Sequence, residues 1–207
     1  EPFRELIEQG GATPLVERGV LVGEVAGLEV CRVVDDPHLG TTRLEVGVGA
    51  HDREAFQMLH GDVPTADSLA RIVATVAEHR RLGAAPHPLN RLAAERFLRW
   101  RLTTDPALVG AASLAPAEPP VPRENLKDPV PCVATGERPD GTAVVVVCAT
   151  GVELDVVPYA ADARLAVGEP GVGEGDLVIV TPPRDRLPLI ERIAAQLRDG
   201  AELCSVD

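Results

Sequence analysis

Between residues 29 and 54 the chain gathers its densest set of groups able to hold a cation or move a proton: Glu29, Glu45, His51, Asp52 and Glu54. If Glu29 and Glu45 stand on neighbouring strands they point to one face. With His51 or Asp52 they then supply the hard oxygen and imidazole donors that Mg²⁺ or Mn²⁺ takes. The same residues also fit a plainer role, with Glu45 facing solvent by strand alternation and residues 51–54 forming the charged start of a helix. There the acids sit near the positive end of the helix dipole. Charged clusters at element ends are usually solvated, which favours the plainer role.

A second cluster lies in "FLRWRL", residues 97–102, where Arg99 and Arg101 flank Trp100. On a helix, Trp100 is expected to bury while the arginines lay their stems beside it. The same three residues are also the types favoured as anchors of a protein interface. The glycine-rich "GEPGVGEGD", residues 168–176, lacks the lysine and the directly following helix of a phosphate cradle and carries repelling acids, so it is expected to be a hairpin loop. His38 and His60 fall in turn-like stretches and are expected at the surface, and His87 carries no signal. No serine or cysteine stands in a nucleophile-elbow context. Cys31, Cys132, Cys148 and Cys204 form no CxxC pair, and the first three sit in or beside apolar strand-like segments as small hydrophobes. Free thiols place the chain by default in a reducing cytoplasm.

These groups must be carried by a chain of 207 residues, 45% hydrophobic, long enough for one large domain or two small ones. Its formal charge of −12 repels phosphate backbones and acidic bilayers, so nucleic acid is disfavoured as a partner. No stretch is long and apolar enough for a membrane span, and no cofactor motif stands out. Of the 20 basic residues only Lys127 is lysine, a bias that reads as codon usage in a high-GC bacterium.

The positioning elements follow from periodicity. A short helix is predicted over 3–9. Residues 19–34 are expected to form two strands around a tight turn at Ala26-Gly27, with a third strand over 43–49 and a helical start at 51. Residues 64–83 have the clearest helical pattern, capped by Thr65 or Asp67 and stopped by Gly83. Residues 88–102 form another helix, and the proline-rich 115–131 an extended connector. Residues 144–148, apolar on both faces, mark a central strand. Strands up to Val157, a strand over 177–183 and a last helix over 187–200 complete the chain. The two halves match in order: hairpin through a glycine, strand, helix. Together they predict an α/β (α+β) protein of two similar β-β-β-α units, an internal duplication over 18–85 and 127–207, joined by a helical insert and proline-rich linker over 86–126.

Such a unit, with acids near its strand ends, resembles the core of the restriction-endonuclease-like superfamily, the PD-(D/E)XK nucleases. The resemblance implies a carboxylate on the second strand and an acid-any-lysine triplet on the third, together holding a divalent metal. Glu29 matches the first position, and Glu45-Val46-Gly47 the triplet with glycine in place of lysine. In the second half Asp155 matches the hairpin acid, and the following strand carries neither acid nor lysine. With the lysine missing, two functions are open. The first is a non-catalytic protein-binding or regulatory module without a cofactor, monomeric or homodimeric, whose binding residues are Arg99, Trp100 and Arg101. The alternative is a phosphoester hydrolase using Mg²⁺ or Mn²⁺ on Glu29 and Glu45, with His51 or Asp52.

Overall fold

The computed structural model describes residues 2–36, 40–60, 65–123, 126–167 and 175–207, which form two compact units, Glu1–Leu92 and Ala93–Asp207. Residues 93–126 fall in the second of these units. His38 and most of the glycine-rich stretch, residues 168–174, lie outside the described residues. Among those described, no helix is long and apolar enough to cross a membrane.

The first unit opens with α1 (Pro2–Gln9) and continues as an antiparallel meander in the order β1 (Thr13–Glu17), β2 (Val20–Val25), β3 (Leu28–Asp36) and β4 (Thr41–Val46). The β2–β3 turn is the expected one, with Ala26 and Gly27 both left-handed at φ 46° and 76°, the twist that suits a two-residue hairpin. Two helices follow, α2 (Gly49–His60) and α3 (Ala66–His79). Thr65 caps α3 through a capping box with Ser68, satisfying donors that the first turn would leave unpaired. Leu69 and Val76 bury the inner face of α3, and Ile7, Leu28, Val30, Cys31 and Val46 fill the core of the unit. Arg80, buried just after α3, donates to the carbonyls of Ala26, Leu89 and Leu92 and so ties the hairpin turn to the end of the unit.

The second unit is a mixed five-stranded sheet in the order β5 (Ser113–Ala117), β6 (Cys132–Glu137), β7 (Ala143–Cys148), β8 (Asp176–Thr181), β9 (Glu202–Ser205). The first three strands are antiparallel, whereas β7, β8 and β9 run parallel. Helix α4 (Ala94–Thr104) precedes the sheet, α5 (Val156–Val167) connects β7 to β8, and α6 (Pro188–Ala194) connects β8 to β9. Strand alternation divides the core in two. Cys132, Ala134, Val144, Val146, Cys148, Val178 and Val180 pack with Leu98 and Leu102 of α4, while Val133, Val145, Val147, Leu177 and Ile179 pack with α5 and α6. Because β7 and β8 are covered on both faces, they read as unbroken apolar runs.

The α+β class stands, but the internal duplication is not confirmed. One sheet is an antiparallel meander followed by both its long helices, whereas the other is mixed, with helical crossovers between its parallel strands. The difference arises at Val152–Val157, expected as a strand and in fact a turn running into α5. The Tyr159 amide donates to the Asp155 carbonyl as the helix opens, and the alanine-rich residues beyond Pro158 extend it.

At the end of β4, Gly47 takes φ 143°, and its amide donates to the Val30 carbonyl at 2.7 Å. A methyl group on Gly47 would stand 2.6 Å from the Arg53 amide nitrogen, so only glycine lets α2 settle this close to the sheet. Gly47→Ala is expected to lower the stability of the first unit by more than about 1 kcal/mol, read as an earlier urea transition.

Candidate functional site

The predicted acids of the first unit do converge, and the cation they meet is arginine. Arg53, projecting from α2, places Nη1 3.3 Å from Glu29 Oε1 and Nε 3.4 Å from Glu45 Oε2. Arg32 holds Glu29 at 2.8 Å, Arg43 holds Glu45 at 2.8 Å, and Arg43 also lies 3.6 Å from Asp36. The result is an alternating row across β3, β4 and α2: Asp36, Arg43, Glu45, Arg53, Glu29, Arg32. Simple alternation would not bring Glu29 into it. Arg32 stands opposite Glu45 in the ladder, and a residue three positions away belongs on the other face. A register shift between β2 and β3, where Gly23 pairs with Cys31 but Glu24 with Glu29, leaves Val30 as an extra residue and turns Glu29 back to the face of Arg32.

His51 and Asp52 stand exposed on the first turn of α2 and do not join the row. Among the described residues no group of three or more His, Cys, Asp or Glu forms a metal-holding set. The carboxylates that the hydrolase alternative needs are engaged by guanidinium groups, which bring fixed charge and no capacity to act as a base at neutral pH. In the second unit Asp155 is exposed in the turn before α5, off any strand.

A second charged cluster lies under α4, which departs from the amphipathic pattern expected of it. The buried face of α4 carries Glu95, Arg96 and Arg99 beside Leu98 and Leu102, while Phe97 and Trp100 are only half-buried. Arg99, expected to flank Trp100 at the surface, is 2% exposed and turns toward the sheet. Arg101 stays half-exposed, and the rings of Phe97 and Trp100 stack at 5.4 Å. Glu95 has both oxygens engaged: Arg123 Nη2 lies 2.7 Å from one, and the Thr150 hydroxyl donates to the other at 2.7 Å. The same Arg123 nitrogen donates to the Val130 carbonyl at 2.9 Å, anchoring the proline-rich segment.

Cys132 and Cys148 lie directly opposite each other in the β6–β7 ladder, on the side that faces α4. Burial pushes both thiols up. For Cys132 this is outweighed by the hydrogen bond with Cys148 and the charges of Arg99 and Arg96, so it falls below the ordinary thiol value despite the opposing charge of Glu95. Cys148 is raised, by burial, by that hydrogen bond and by the charge on Cys132. Cys31 is pushed up to about 12, first by burial and then by nearby Glu29, against a backbone hydrogen bond with Gly23. Cys204 is raised as well, by burial and by Glu202.

No family model matches this chain, and no curated protein and no solved structure matches it.

Several of these groups left no local trace in the sequence. Arg53 is 24 positions from Glu29, and Arg123 is 28 from Glu95. His87, without a sequence signal, accepts from the Leu89 amide at its Nδ1 and stacks on His79 at 3.7 Å, holding the end of the first unit. A helical periodicity of three and four would have placed Glu95, Arg99 and Leu102 on one face had charge not been read as a mark of the surface. The depth of each pair sets what its loss costs. Glu95→Gln leaves Arg123 buried without its counter-charge and is expected to cost about 3–5 kcal/mol. Glu45→Gln, in a more open pair, should cost about 0.2–1 kcal/mol. Urea unfolding of each variant against the wild-type transition of its own unit measures both, and equal losses would contradict this ranking.

Proposed function

We propose that the chain is a non-catalytic module that binds a protein partner through the outer face of α4, with Phe97, Trp100 and Arg101 at the centre of the contact. The observation that carries this function is the inversion of α4: its charges Glu95, Arg96 and Arg99 are buried, whereas its aromatic pair is left half-buried. The whole chain has only one tryptophan, one tyrosine and three phenylalanines, so two stacked aromatic rings outside the core are a departure from its own composition. A buried charge is the informative exception to ordinary burial. Tryptophan and arginine together are the types that dominate binding energy at protein interfaces. The overall charge of −12 favours a partner with a basic surface and speeds its approach.

The arginine row in the first unit supports the same conclusion. A divalent ion at Glu29 and Glu45 would have to displace Arg53 from both carboxylates and leave that guanidinium, its side chain 14% exposed, without them.

Affinity capture from the source lysate with the full chain tests this function, using wild type, Trp100→Ala and Leu165→Ala. Leu165 is 65% exposed on α5, on the other side of the sheet from α4. At least one protein should be retained by wild type and Leu165→Ala. It should be depleted more than about tenfold by Trp100→Ala, as expected of an interface anchor. The loss should then be reproduced by calorimetry with that protein purified. Identical retained sets for all three chains overturn the proposed surface. Calorimetric Mg²⁺ or Mn²⁺ binding that disappears in Glu45→Ala would overturn the non-catalytic assignment.

A further inference from the structure

We propose that the open edge of β9 pairs with the same edge of a second copy of this chain, joining two five-stranded sheets into one about a two-fold axis at Cys204. The contact is separate from the outer face of α4, and either can hold without the other.

The two edge strands of the second unit, β5 and β9, differ in what they leave unmet. Strand β5 carries Pro116, which has no N–H to offer and blunts that edge. Strand β9 carries neither proline nor lysine. Its register sets Val180 beside Cys204 and Thr181 beside Ser205, and the Val206 amide donates to the Thr181 carbonyl at 3.2 Å. In a parallel ladder alternate residues turn both backbone groups to the same neighbour, so Glu202, Cys204 and Val206 face β8. Leu203 and Ser205 therefore turn theirs outward. Among the described residues no backbone group meets them there, and the Ser205 amide has only the sulfur of Cys204.

An unpaired row of this kind specifies the chemistry of its occupant, an extended backbone. A second β9 supplies one with the same pattern. With the strands antiparallel and the axis at Cys204, Leu203 of each copy stands opposite Ser205 of the other. Both of these pairs exchange two N–H···O bonds, so every outward group of Leu203 and Ser205 finds a partner. A contact that is the same on both sides closes on itself and stops at two copies.

Charge limits where two such copies can meet, because each carries −12 and repels the other at long range. The strip Leu203–Val206 contains no charged residue, and the Glu202 carboxylate just before it is held by Arg138 at 2.9 Å. Across the axis Glu202 stands opposite Val206 of the other copy and Asp207 opposite Ala201, so no acid is set against an acid. A parallel pairing in register would set Glu202 against Glu202 and is disfavoured. Leu203 and Cys204 each pack against one face of the core and are only half-buried, which leaves apolar surface at the axis for the other copy to cover.

Sedimentation equilibrium of the full chain over a range of concentrations, in low and in high salt, tests this contact. A reversible monomer–dimer equilibrium is expected, tighter in high salt because screening weakens the repulsion between the two copies. Leu203→Pro removes one outward N–H from each copy and should weaken the dimer more than about tenfold. Proline can also disturb β9 itself, so this variant is first checked for native circular dichroism, and a second measurement uses the wild type. At the axis Cys204 and its counterpart form a non-hydrogen-bonded antiparallel pair, with Cα atoms about 4.5 Å apart. A disulfide spans that separation. Oxidation with diamide should therefore give a covalent dimer whose cross-linked peptides join Cys204 to Cys204, and Cys204→Ser should give none. A chain that stays monomeric at near-millimolar concentration in high salt would overturn the proposal. So would a dimer that a folded Leu203→Pro leaves unchanged, or a covalent dimer joined only through Cys31, Cys132 or Cys148.

Discussion

A carboxylate taken out of water is tolerated only beside a compensating charge, and in both units that charge is supplied by arginine. In the first unit this requirement fixes where α2 lies. Arg53 reaches acids on two different strands, and Gly47 permits the close approach that makes this reach possible. In the second unit Glu95 draws Arg123 and Thr150 to α4, so a helix, a proline-rich segment and the end of β7 meet at one carboxylate. The near-absence of lysine thus has a structural consequence. A planar fork can serve several acceptors at once, as Arg138 does with Asp176, Glu202 and the Val109 carbonyl, whereas an ammonium is a single compact charge.

The elements that were legible in the sequence share a physical reason. Residues 20–36 show their hairpin because the turn needs left-handed residues between β-branched runs, and α3 shows itself through a capping threonine and a three-four apolar stripe. The strands that escaped were β1, β5, β6 and β9, and all but β6 are edge strands. An edge strand is short, needs little apolar surface and can carry proline, as Pro14 and Pro116 show. Without β5 and β9, the second half looks like a copy of the first. With them, it is a wider sheet whose parallel strands need helical crossovers. The run Val152–Val157 was misread for the same reason: valine-rich residues after a glycine suit a hairpin locally, and only the parallel pairing of β7 with β8 calls for a helix there.

The candidate site was legible in its acids and not in its cations. Glu29 and Glu45 were expected on one face, and they share one, but through a bulge at Val30 that alternation alone would have denied. The guanidinium between them comes from another element and forms no motif with either. The register of Cys132 and Cys148 was likewise hidden, since residues 16 positions apart become partners only once the β6–β7 hairpin is closed around Arg138 to Thr142.

The inverted helix α4 connects these observations. An apolar inner face could slide along a sheet of valines at little cost, because one methyl surface resembles another. A face carrying Glu95 cannot, since any shifted register would leave that carboxylate buried away from Arg123 and Thr150 at a cost of several kcal/mol. The polar inner face therefore holds α4 in one position over β6 and β7, and that position brings Arg96 and Arg99 within electrostatic reach of Cys132. With the charges committed inward, Phe97 and Trp100 are left on the side of the helix that the sheet does not cover. The buried ion pair and the half-buried aromatic pair are two consequences of how one eleven-residue helix is seated.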